Sequence, residues 1–114
     1  MVQNRNKLID IFIGNVSNVV VHRILERAVF DKEELFDRYR KEMINSFEIA
    51  KRYREKINPV SKPLSERDMF YVRERVIRKA ISELSLRISK GYVNIDLDNV
   101  EMEADIVLKE MRII

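Results

Sequence analysis

Cysteine and tryptophan are absent from this chain of 114 residues, which also has only two glycines, two prolines and one histidine. Without cysteine there is no disulfide, no thiolate metal ligand and no thiol nucleophile, and thiol usage says nothing about redox compartment. Two glycines are too few for a phosphate-cradling loop or a dinucleotide fingerprint, each of which needs glycine at several fixed positions. So few turn residues also argue against an all-β architecture. His22 has no orienting acid and nucleophile near it in sequence, and there is no Glu-x-x-His pair of the kind that holds metals in helical bundles. No enzyme activity, cofactor or metal is therefore expected.

No uninterrupted apolar run reaches the roughly 18 to 20 residues of a membrane span. The opening MVQNRNKLIDIFIG has too short an apolar stretch for an export signal and no small-residue cleavage pattern. A cytoplasmic protein with no membrane or small-molecule partner is the expectation.

What is present is charge and apolar periodicity. Hydrophobic residues make up 46% of the chain and charged residues 36%, a balance that suits one soluble helical domain spanning 1–114. The net charge of +3 conceals an asymmetry, because residues 38–90 hold fifteen Lys or Arg against seven Asp or Glu while both flanks are net acidic. A basic middle between acidic ends suggests an anionic partner, or one subunit's middle against another's tail.

The expected fold is all-α, a helical bundle built on a long antiparallel helical hairpin. Its first arm runs from about Lys32 to Ile57, where Phe36, Met43, Ala50 and Ile57 recur every seven residues and Tyr39, Phe47 and Tyr53 fill in beside them. Asp31 with Glu34 resembles a capping box, and Asn58-Pro59 supplies a stop. After a turn at 58–64, the second arm runs from Ser65 as N-cap to about Lys90, with Gly91 as the closing residue. Its apolar arc contains Met69, Phe70, Val76, Ile77, Ala80, Ile81, Leu84 and Ile88. Residues 92–97 alternate apolar and polar, which fits either a short strand or an extended connection. Asp98 and Glu101 then cap a short final helix whose apolar arc is Val100, Ala104, Val107, Met111 and Ile114.

The N-terminal region reads as a helix, interrupted or not at Gly14-Asn15, with Ile9, Phe12, Ile13, Val16, Val20, Ile24 and Ala28 on one side. Val19, Val21 and Leu25 extend the apolar surface nearly all round, which places such a helix at the centre of a fold or beneath a second subunit.

Two functional readings follow. The first is a non-enzymatic interaction protein that self-associates, most simply as a homodimer, through Ile9, Phe12, Val16, Val20, Ile24 and the misplaced apolar pair Val72 and Leu86. The alternative is a sequence-nonspecific nucleic-acid-binding accessory protein using the basic hairpin. Arg75, Arg78, Lys79, Lys90 and Tyr71 on one arm would act with Lys51, Arg52 and Lys56 on the other. Arg73, and with less clarity Arg27, project among apolar residues and need a carboxylate partner or a route to the surface. The acidic run Asp96, Asp98, Glu101, Glu103 and Asp105 lacks the spacing of a calcium loop and reads as capping residues plus a solvated first turn.

Overall fold

Asn4 starts the first helix by accepting the Asn6 amide on its side-chain oxygen at 2.8 Å. The computed structural model describes residues 4–29, 31–58 and 62–114. These fold into α1 (Arg5–Ala28), α2 (Glu33–Ile57), α3 (Glu66–Ser89), a 3₁₀ turn at Leu97–Asn99 and α4 (Val100–Glu110), with no strand among the described residues. The all-α bundle is as expected.

Helix α1 is continuous through Gly14-Asn15. The Asn15 amide donates to the Ile11 carbonyl and the Ser17 hydroxyl to that of Ile13, both within the helix. Ten of the buried apolar residues lie on α1, from Leu8 to Leu25, more than on any other element. Each contributes about 1.5 to 3 kcal/mol on burial. By length and composition α1 is apolar enough to cross a membrane. In this fold α2, α3 and α4 all pack against it.

The closely packed hairpin is α1 with α2 rather than α2 with α3. Antiparallel pairing of α1 and α2 is set by Glu26 opposite Arg40 at 3.6 Å and His22 opposite Glu42 at 2.6 Å. Helix α3 then runs parallel to α1, from Arg5 paired with Asp68 at 2.9 Å to a groove between Asn18 of α1 and Ser82 of α3. The reason is competition for apolar surface. Only α1 is apolar all round, so both long charged helices bury their stripes on it instead of on each other. Part of the turn expected at 58–64 lies outside the described residues.

The ends of the helices explain further shifts. Ser65 caps α3 by accepting the Asp68 amide at 3.1 Å, as its spacing implied. Gly91, at φ 99°, lets the chain turn back so that the Tyr92 amide reaches the Arg87 carbonyl. At α2 the N-cap is Lys32 with no side-chain cap, in place of the Asp31 box. Residues 92–96 form no strand but a connection bent at Asn94, whose φ is 66°, and Asp96, not Asp98, caps the 3₁₀ turn that leads into α4. At the far end Arg112 takes φ 57°, which ends α4 and turns Ile113 inward and Ile114 outward, one position away from the expected arc.

Candidate nucleic-acid interface

The apolar arc of α3 is rotated relative to its sequence reading: Val72, Val76, Ala80 and Leu84 are buried, and Phe70, Ile81 and Ile88 are exposed. The opposite face carries Arg67, Tyr71, Arg75 and Arg78 at helical spacing, and with Phe70 and Glu74 these line one shallow groove. Phe70 is 67% exposed and Tyr71 41%. The Arg75 guanidinium stacks 5.1 Å from the Tyr71 ring centroid. Lys79 lies one turn on, beside α1.

Glu74 is the one acid of α3 that lines this groove. Asp68 pairs with Arg5 at 2.9 Å, Glu74 with Arg73 at 3.7 Å and Glu83 with Arg87 at 3.3 Å. Among the described residues Arg67, Arg75, Arg78 and Lys79 enter no ion pair, and Glu66 is the one acid of α3 left over. Asp68 is drawn across to Arg5 of α1, whereas Glu74 and Glu83 pair with neighbouring arginines of α3 itself.

The other four predicted positions fall elsewhere. Lys90 caps the end of α3, eleven residues beyond Lys79, or about 16 Å along the axis. Lys51, Arg52 and Lys56 are exposed on α2. There Lys51 sits 3.3 Å from Glu48, and Lys56 lies 4.7 Å above the Tyr53 ring. Since α2 and α3 each pack on α1, the structure does not gather the eight residues into the single hairpin face that was expected. The α3 cluster stands alone.

Compared with protein-family models, curated proteins and solved structures, the chain matches none. Its chemistry is therefore read from its own geometry.

The proposed self-association residues Ile9, Phe12, Val16, Val20, Ile24 and Val72 are all interior to a single chain. The cover that their apolar character required is supplied by the chain's own helices, so they form no outward face. Leu86 does lie on the surface, 50% exposed.

Arg73, Arg23 and Arg27 are held by carboxylates of α4. Arg73 donates from Nε to Asp105 at 2.7 Å and from Nη2 to Glu101 at 2.7 Å, which joins α3 to α4. Those hydrogen bonds, first to Asp105 and then to Glu101, raise its pKa further and keep it charged. Arg23 and Arg27 converge on Glu103, which is 0% exposed, at 3.1 and 2.5 Å. Their nitrogens meet both carboxylate oxygens as close ion pairs without hydrogen-bond alignment. Arg23 also reaches Glu110 at 3.0 Å. The acidic run of α4 thus mainly neutralises arginines of its own chain.

The sequence reading took Glu103 for part of a solvated first turn, whereas it is fully buried, and it missed Arg54. Glu103 sits beside Ala104 and four residues before Val107, so its place on the buried arc was visible as a helical projection. Arg54 is 2% exposed and donates only to carbonyls: Met111 at 3.1 Å, Asn58 at 2.9 Å and Arg112 at 3.2 Å. It clamps the C-terminal ends of α2 and α4, where helix dipoles are negative. Burial lowers its pKa from the ordinary arginine value. No local pattern announces a contact 57 residues away in sequence. Among the described residues no group of three or more His, Asp or Glu side chains converges to hold a metal.

Proposed function

We propose that this protein is a non-enzymatic, cytoplasmic accessory protein that binds single-stranded nucleic acid without sequence preference through the outward face of α3. The observation that supports it is that Arg67, Arg75, Arg78 and Lys79 enter no ion pair among the described residues, and that the three arginines lie with the exposed rings of Phe70 and Tyr71 in a groove whose one acid is Glu74. Arg67 to Arg78 spans about 16 Å of helix, the length of about five phosphates on one strand. Guanidinium groups meet phosphate oxygens with paired donors. The exposed aromatics add stacking platforms, which favour unpaired bases over duplex.

Four phosphate contacts imply a salt slope of roughly −3 on a single strand, a loss of about 50-fold or more in affinity between 50 and 200 mM salt. The test is fluorescence anisotropy with single-stranded DNA, RNA and duplex DNA over a salt series. Arg75→Glu with Arg78→Glu and Lys79→Glu should abolish binding and leave helicity unchanged. Phe70→Ala should weaken single-strand binding by about 5- to 100-fold and affect duplex far less. Wild-type affinity retained by the triple variant sinks this reading.

A further inference from the structure

We infer that the cavity between the first turns of α1 and α3 is a base pocket, in which Asp10 binds guanine from the single strand proposed above for the outward face of α3, on which this assignment rests. It adds a preference at one position to phosphate contacts that carry none. The cavity measures about 690 Å³, with Ile9 as its buried floor and Asn6, Asp10, Arg67, Asp68 and Tyr71 around it. Arg67 and Tyr71 also line the groove that holds Phe70, Arg75 and Arg78, so the pocket opens beside the basic face.

The charges in the pocket favour a base over a phosphate. One guanidinium is set there against two carboxylates, which leaves no excess positive charge to hold an anion. The two carboxylates differ in what is left to them. Asp68 pairs with Arg5 at 2.9 Å, and Ser65, also in the wall, is occupied as the cap of α3. Asp10 is exposed and enters no ion pair among the described residues. An ionised carboxylate only accepts hydrogen bonds, on two oxygens side by side. Guanine is the base whose Watson–Crick edge offers two adjacent donors, N1–H and the 2-amino group, and single strands leave that edge open to be read. Adenine and cytosine set one amino donor beside a bare ring nitrogen, which a carboxylate repels. Thymine and uracil set one donor between two carbonyls.

The rest of the groove keeps a strand in line with this pocket. Asn6, Asp10, Gly14 and Asn18 recur every four residues and form one line along α1, about 18 Å long. Arg67 to Lys79 covers an equal length of α3. The two helices run parallel, so Asn6 shares a cavity with Arg67 at one end and Asn18 shares one with Lys79 at the other. Phosphates held on the α3 cations therefore have their bases beside the α1 line, where Gly14 leaves open space.

The test is fluorescence anisotropy of the full chain with oligothymidylate carrying one central deoxyguanosine, deoxyadenosine, deoxycytidine or deoxyinosine. One guanine should tighten binding about 5- to 100-fold over the all-thymine strand, the range of a single bidentate base contact. Inosine keeps N1–H but lacks the 2-amino group, and should lose most of that gain. Asp10→Asn, a conservative change at an exposed position, should erase the guanine preference with all-thymine binding no weaker and far-ultraviolet circular dichroism unchanged. All-thymine binding with no gain from guanine overturns the pocket and leaves the α3 face standing. A guanine preference that survives Asp10→Asn also overturns the pocket. Failure of every strand to bind overturns the pocket and the α3 face together.

Discussion

The carboxylate of Glu103, with no exposed surface, lies 2.5 Å from the guanidinium of Arg27. Arg23 completes the site from one turn earlier on α1, and both arginines remain partly open to water. The energetics are therefore asymmetric. Losing both arginines strands a buried anion, whereas losing the glutamate leaves two cations that can hydrate.

Removing Arg23 and Arg27 together by alanine substitution should cost about 3 to 5 kcal/mol of stability, the range for an uncompensated buried charge. Glu103→Leu, which fills the same space without charge, should cost about 2 kcal/mol or less. Urea unfolding of the three proteins decides it. Equal losses would mean that the carboxylate is reached by water.

Arg54→Met should destabilise by about 3 kcal/mol, since it leaves three carbonyls at two helix ends without their donor. Arg54→Lys should recover only part of this, because an ammonium lacks the planar fork that serves three oxygens at once. Amide hydrogen exchange should show the loss concentrated at 108–113 and at the end of α2.

Gly14 faces the groove between α1 and α3, and a Cβ added there meets no atom within 4 Å. Gly14→Ala should therefore raise stability by about 0.5 to 1 kcal/mol, through helix propensity alone. A lower melting temperature would show that the groove closes further in solution.

Burial, with the neighbouring Tyr92 second, holds the Tyr39 hydroxyl above the usual tyrosine range. The unfolded chain then releases this proton first, so stability is fully present below about pH 10 and falls as pH rises beyond it. Denaturation midpoints measured on either side of pH 10 should fall more steeply for the wild type than for Tyr39→Phe.

Val20→Asp with Ile24→Asp should abolish cooperative folding, because both side chains are interior to the monomer. A folded, monomeric double variant would instead support an exposed α1 face.

The sequence by itself determined the helices. Apolar periodicity, Ser65 as a cap, Gly91 as a C-terminal turn and the all-round apolar character of α1 are local properties, each fixed by the chain within a few residues. The α3 cations Arg75, Arg78 and Lys79 were legible on the polar arc for the same reason. Tertiary structure alone decided what each face meets. The pairing of α2 and α3 with α1 depended on competition for one apolar surface, and the rotation of Val72 inward followed from it. The partner of Asp68 came from α1, whereas Glu74 and Glu83 pair with arginines of α3 itself. Arg54 and Glu103 became buried because carbonyls and guanidiniums distant in sequence were brought to them. Ion pairing acts over a few ångströms in space and is indifferent to separation along the chain.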